Sequence, residues 1–298
     1  MLLFVIGTGR CGSTLVQELL ARHPQVGFLS NLEDRIPGLP LHAARYGNLL
    51  YQWLPPALTR KGRLRYAPSE GYRALAREVS PMVTGSCRDL VAGDAMPWVA
   101  ERFHDFFTRR ARAQGQPVFL HKYTGWPRTG FIREIFPDAR FIHVVRDGRA
   151  VAASALRTPW WAGHMGPWNW QWGPLPPAYA AEWEASGRSF PVLAAITWKI
   201  LMDAFADARA LVPGDQWLDV RFEDVLAEPR HRFKEMLAFM GLEAHPALDR
   251  ALDRTGLSPG RQQAYRRDLD PASLALVERS LASHLPAWGY QTETPAGP

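Results

Sequence analysis

The chain has 298 residues, 47% of them hydrophobic and 21% charged, with a formal charge of +6. Those proportions exclude a disordered chain, which buries too little apolar surface to offset its ordering entropy, and suit one large α/β domain or two small ones. Two cysteines, Cys11 and Cys87, exclude a disulfide framework and a Cys-rich zinc module.

Only four of the 35 basic residues are lysines (Lys61, Lys122, Lys199, Lys234), and the rest are arginines, as GC-rich bacterial coding produces. A mild basic excess suits a small anionic ligand, whose local concentration a positive cleft raises. No block of about five like charges, zinc finger, basic zipper or RNA-stacking motif occurs, so no nucleic-acid partner is expected. No run approaches the roughly 18 apolar residues of a membrane span. The opening Met1–Ile6 run lacks a basic leader and meets Gly7 too early for a secretory signal, which makes the cytoplasm the expected location.

In chain order, Leu2 to Ile6 is a buried parallel strand ended by Gly7-Thr8-Gly9. Leu15, Val16, Leu19 and Leu20 share one helical face within Ser13 to His23, and Pro24 stops that helix. Gln25 to Leu29 reads as a second strand. Asn31 to Arg73 has no sustained period and is expected to form short helices and loops. A helix follows at Pro97 to Gln114, a strand at Pro117 to His121 and a helix at Pro127 to Ile135. Ala139 to Val145 is the clearest central strand, and it leads into a helix over Ala150 to Arg157.

Pro159 to Trp183 holds six of the 12 tryptophans among prolines and glycines, so a loop-built lid or insert over about 159–188 is expected there, without a regular helix. A long helix over Phe190 to Val212, a strand over Gln216 to Phe222, and helices over Pro229 to Met240 and Pro271 to His284 complete the chain. No linker or repeat divides it. The fold expected is a single α/β domain, 1–298, with a central parallel sheet flanked by helices.

The segment Gly7-Thr8-Gly9-Arg10-Cys11-Gly12-Ser13-Thr14 carries the most chemistry. Between a buried strand and a helix, its glycines let consecutive N–H groups face one concavity, where the helix N-terminus adds partial positive charge. That is a P-loop-type cradle for a phosphate or a like-shaped anion. Ser13 stands where a triphosphate-binding loop needs lysine, and Arg10 supplies a cation from inside the loop. Cys11 reads as a small residue of the cradle rather than a nucleophile.

Arg146-Asp147-Gly148-Arg149 follows the central strand, with Arg146 at the strand's C-terminal end, where open α/β sheets bind ligands, and Ser154 two helical turns on. This loop, together with Arg146-x₇-Ser154, resembles the sulfotransferases that use 3′-phosphoadenosine 5′-phosphosulfate (PAPS). The segments Phe136-Pro137-Asp138-Ala139-Arg140-Phe141-Ile142, Val220–Val225 and Phe239-Met240-Gly241-Leu242 are similar to family members as well. The resemblance implies that Gly9, Arg10, Cys11, Gly12, Ser13 and Thr14 hold the 5′-phosphosulfate, and that Arg146 and Ser154 hold the 3′-phosphate. Phe222 stands where relatives commonly have a tyrosine near the nucleotide, so packing or stacking remains without a hydroxyl contact. Relatives often add a basic contact from the C-terminal tail, for which Arg261 and Arg266 are available.

Sulfuryl transfer needs a cation for charge growing on the bridging oxygen and a base for the acceptor's proton. The resemblance implies Lys122 as the cation, shared with Arg10. It implies a carboxylate after the second strand as base, for which Glu33 and Asp34 are available; Glu33 is the expected base for its reach, with Asp34 otherwise orienting Arg35 and with His121 or His164 as fallbacks. His143 alternates within a strand and reads as a core histidine. No metal is required on this reading. The acceptor expected is a hydroxyl or amine of a small molecule, lipid or glycan, and the insert's tryptophans either line its pocket or pack the insert down. Two alternatives remain: a nucleoside or small-molecule kinase using ATP and Mg²⁺, and a nucleotide-binding module without catalysis.

Overall fold

Five parallel strands in the order β2-β3-β1-β4-β5 form the scaffold of the computed structural model, which describes residues 1–55, 66–257 and 262–292. The strands are β1 (Leu2–Gly7), β2 (Val26–Phe28), β3 (Val118–Thr124), β4 (Arg140–Val145) and β5 (Trp217–Arg221). Before β3 come α1 (Ser13–Leu20), α2 (Asn31–Arg35), α3 (Leu41–Trp53), α4 (Tyr72–Glu78), α5 (Met82–Gly85) and α6 (Pro97–Gln114). Between β3 and β5 lie α7 (Thr129–Ile135), α8 (Gly148–Leu156), α9 (Pro177–Ala185) and α10 (Phe190–Leu211). After β5 come α11 (Phe222–Ala227), α12 (Pro229–Phe239), α13 (Pro246–Thr255), α14 (Tyr265–Asp268) and α15 (Pro271–Leu281). The α/β domain with a central parallel sheet is as the sequence predicts.

Alternation along the strands divides the core in two. Phe4 and Ile6 of β1, with Phe119, Tyr123 and Phe141, face a layer built on α6, α8, α10 and α15. Leu3 and Val5, with Leu120, Ile142 and Val144, face α1, α12 and α13. Both faces are thus covered, which is why the strands read as continuous apolar runs. In register, β1 pairs with β3 (Val5 beside Lys122) and with β4 (Ile6 beside His143). The loop after β1 therefore sits between the C-terminal ends of β3 and β4.

Two expectations change. The aperiodic Asn31–Arg73 segment contains the 13-residue α3, whose Asn48 and Gln52 side chains donate to the carbonyls of Phe28, Ala21, His23 and Val26. Polar tethers replace an apolar stripe there, so hydrophobic periodicity does not mark the helix. The stretch expected to lack a regular helix contains α9, which opens on Pro177 and buries Trp183 against Trp170, Val192, Leu193 and Ile196. Proline at the first helical position starts a helix, because the missing N–H has no intrahelical partner there anyway.

Candidate functional site

Close packing rather than a regular pattern shapes the loop. A Cβ on Gly7 would meet the Val144 carbonyl oxygen at 2.6 Å. Gly12, which caps α1 at φ 97°, has the Phe222 ring where a Cβ would stand, 2.3 Å away. Arg10 also takes a left-handed conformation, at φ 68°, a strain that non-glycine residues bear at few positions. Cys11 is fully buried, and burial pushes its thiol above the usual range, which suits a packing residue of the loop rather than a nucleophile. The Leu15 and Val16 amides donate to the Gly12 carbonyl at 3.0 and 3.3 Å, so the helix leaves only its Ser13 and Thr14 amides without an intrahelical acceptor.

On the β4 side, Arg146 Nη1 donates to the Arg10 carbonyl at 2.9 Å, and Arg10 Nε donates to Ser154 Oγ at 2.9 Å. Arg146 also lies over the Phe222 ring, 5.3 Å from its centroid. Burial lowers the Arg146 pKa, with Glu223 opposing. Glu223 anchors the turn, accepting from the Asp147 amide at 3.2 Å and from the Tyr290 hydroxyl at 2.8 Å. The side chain of Arg10 thus reaches the Arg146–Ser154 corner. Phe222 packs between the loop and Arg146.

On the β3 side, Lys122 has a buried side chain, and its Nζ lies 2.6 Å from Thr14 Oγ1 and 2.6 Å from Glu70 Oε1. Glu70 also accepts from Thr124 Oγ1 at 3.2 Å and interacts with Tyr72. Burial alone would raise the Glu70 pKa, but Lys122 and these hydroxyls hold it below the usual carboxylate range. Its side chain keeps 22% exposure. The result is an ionised, reachable carboxylate paired with a cation at the start of α1.

Glu70 does not stand out in the sequence. It lies in the aperiodic stretch, which the antiparallel bridge of Ser30 with Pro68 and the Tyr72–Thr124 contact bring beside β3.

Glu33 sits elsewhere. It closes the capping box of α2, its Oε2 accepting from Ser30 N at 2.9 Å and Ser30 Oγ at 3.1 Å, while Oε1 lies 3.7 Å from Arg110. It is 3% exposed, and burial raises its pKa. Asp34 accepts from the Ala74 amide, which is its contact instead of Arg35. The hydrogen bonds shown bring Arg10, Arg146 and Ser154 together, and Lys122 with Thr14; none of them joins Glu33 to either group.

The histidines are accounted for locally. His164 Nδ1 contacts the Trp161 carbonyl within a short turn. His143 is buried, bonded to Asp219 at 2.8 Å and stacked on Phe205. His121 is buried among Phe4, Phe107 and Tyr123, and among the described residues neither ring nitrogen has a hydrogen-bond partner. Burial pushes its pKa down to about 3. The folded state therefore binds one proton fewer at this site than the unfolded chain between about pH 6.5 and 3, so stability falls as pH drops through that window. His121→Leu is expected to recover on the order of 4 kcal/mol of the wild-type acid loss between pH 7 and 3. Urea unfolding at stepped pH measures this, and an unaltered difference between the two proteins over that range counts against the assignment.

The insert roofs the loop. Trp160, 56% exposed, lies against Gly9, and Trp172 packs on Gly125 just past β3. Both line a cleft with Arg10, Trp161 and Thr197. Trp170 and Trp183 are buried packing residues, whereas Trp168 is 71% exposed. Arg261 lies outside the described residues, and Arg266 belongs to α14, which Asp268 ties to Arg157 at the end of α8. Among the described residues, no group of three or more His, Cys, Asp and Glu is arranged to hold a metal ion, and no helix is long and apolar enough to cross a membrane.

The family model described as "Sulfotransferase family" matches residues 3–246. No curated protein sequence matches the chain. Among solved structures, sulfotransferase STF9 from Mycobacterium avium is 15% identical, with 98% of this chain and 77% of that one covered and a TM-score of 0.55. STF1 from Mycobacterium tuberculosis H37Rv is 18% identical, with 94% and 76% covered and a TM-score of 0.53. The sulfotransferase domain from the curacin biosynthetic pathway is 11% identical, with 97% of each chain covered and a TM-score of 0.53. At these identities the structures establish the fold they share with this chain.

Proposed function

The chain belongs to the sulfotransferase family, and from that premise we propose that it moves a sulfuryl group from PAPS to a hydroxyl or amine of a small-molecule, lipid or glycan acceptor in the cytoplasm. The observation that carries this reading is Lys122, held between Thr14 of the loop and Glu70. One cationic side chain thereby links the anion cradle to a carboxylate.

The residues present fit the donor. The Gly12 backbone and the start of α1 offer amides to its 5′ end, and Arg146 with Ser154 offers a second anion corner for its 3′-phosphate. The donor supplies an activated sulfur whose leaving group is a phosphate. Lys122 and Arg10 provide positive charge where the bridging oxygen gains negative charge. Glu70, ionised at neutral pH, takes the acceptor's proton. It does so in place of Glu33, whose carboxylate is committed to Ser30 and Arg110. The Trp160 and Trp172 roof limits water at the loop, a lid role for the 159–188 insert.

Paired glutamine variants test the base. Glu70→Gln is expected to lower kcat by about 10²–10⁴-fold while leaving the affinity for adenosine 3′,5′-bisphosphate unchanged. Glu33→Gln is expected to lower the melting temperature and keep the turnover of the folded enzyme. Full turnover by Glu70→Gln alongside a collapse in Glu33→Gln would return the role to Glu33. Sulfated product formed in the presence of excess EDTA separates this reading from an ATP- and Mg²⁺-dependent kinase.

A further inference from the structure

At the end of α1 remote from the loop, a cleft of about 400 Å³ opens between α3 and α13. That is the size of pockets that enclose small organic ligands. Its apolar walls include Leu49, Leu54 and the indole of Trp53, which is 83% exposed. Its polar lining is cationic: Arg22, Arg250 and Arg254 face it, and no carboxylate does among the described lining residues.

This charge bias is built by the sequence of α13. The helix carries a tandem repeat, Ala247-Leu248-Asp249-Arg250 followed by Ala251-Leu252-Asp253-Arg254. Leu248, Ala251 and Leu252 are buried. Asp249 and Asp253 both turn to Arg230 of α12, at 3.7 and 2.5 Å. Arg250 and Arg254 are left on the cleft side without an acidic partner among the described residues. Like charges four residues apart on a helix repel, so this arrangement costs stability unless an anion lies between them.

Arg22 adds a fixed third guanidinium. It stacks on the Tyr51 ring at 3.8 Å and donates to the carbonyls of Tyr51 and Leu54, the latter at 2.6 Å. Burial lowers its pKa, Tyr51 and Glu18 offset this, and the neighbouring charge of Arg254 lowers it further. A ligand anion near Arg254 relieves that repulsion. A bare anion would leave the indole and leucine walls wet, so the walls select for an apolar body.

We propose that this cleft binds a small amphipathic organic anion, a phosphate, sulfate or carboxylate carried on an aromatic or aliphatic body, at a site separate from the sulfuryl-transfer centre. The eight-residue α1, about 12 Å long, separates the two.

The test is calorimetric titration with 2-naphthyl phosphate, read as the difference between wild type and R250E/R254E, because any binding of the probe at the loop is common to both. Wild type is expected to bind saturably, and R250E/R254E about tenfold more weakly or worse. Bisphosphate affinity should be unchanged in that variant, and R250Q/R254Q serves if charge reversal prevents folding. Inorganic phosphate and neutral 2-naphthol are each expected to bind at least about tenfold more weakly than the probe. No saturable binding, equal binding by the double variant, or inorganic phosphate binding as tightly as the probe overturns the proposal. A failure of the bisphosphate to bind bears on the loop's donor alone, because the comparison of wild type with R250E/R254E is read independently of it.

Discussion

Lys122→Met is expected to lower kcat by about 10²–10³-fold, the usual loss when one preorganised charge-stabilising donor is removed. Methionine keeps the length and flexibility of the buried stem, so β3 and its pairing with Val5 should survive. A second consequence separates catalysis from simple misfolding. Lys122 is the largest of the groups that hold the Glu70 pKa down against burial, with Tyr72 and Thr124 adding to it. Without it, less opposes burial and the Glu70 pKa rises. On the proposed mechanism Glu70 acts in its ionised form, so the acid limb of the pH–kcat profile should move to higher pH. Steady-state rates from pH 5 to 9 measure both effects. Near wild-type turnover with an unmoved acid limb would detach Lys122 and Glu70 from the reaction.

Arg146→Ala is expected to weaken adenosine 3′,5′-bisphosphate by about 10–100-fold, as loss of a charge-assisted pair to phosphate does. The 3′-dephospho nucleotide should lose far less. This comparison is needed because Arg146 also supports the loop through the Arg10 carbonyl. Slackening of the loop would weaken both nucleotides alike, whereas loss of a 3′-phosphate contact weakens one. Equal losses in the two titrations would withdraw the 3′ assignment and leave Arg146 as a brace for the loop. Ser154→Ala, which removes the acceptor for Arg10 Nε, is expected to shift the same ratio by a smaller factor.

Much was legible in the chain because it is written locally. An apolar run, a glycine turn and an amphipathic stretch identify β1, the loop and α1, since each depends on neighbours within a few residues. The helix at Pro97–Gln114 has the bounds the sequence predicts, opened by proline and closed by Gly115 in the left-handed region. Arg146 is placed by the strand that precedes it. The glycine loop and the family resemblance needed nothing more.

What the tertiary structure alone decides is which side chains meet. Glu70 and Lys122 are 52 positions apart, and Arg10 and Ser154 are 144 apart. Glu33 stands where the resemblance implies a base, yet Arg110, 77 residues later, shares its burial. The aspartates of α13 are drawn to Arg230, which leaves its arginines on the cleft. Pairings of this kind depend on strand order and helix docking, which bring distant residues together. Local propensity and periodicity report only on groups a turn or two away, so the partner of a buried charge stays invisible until the sheet is assembled.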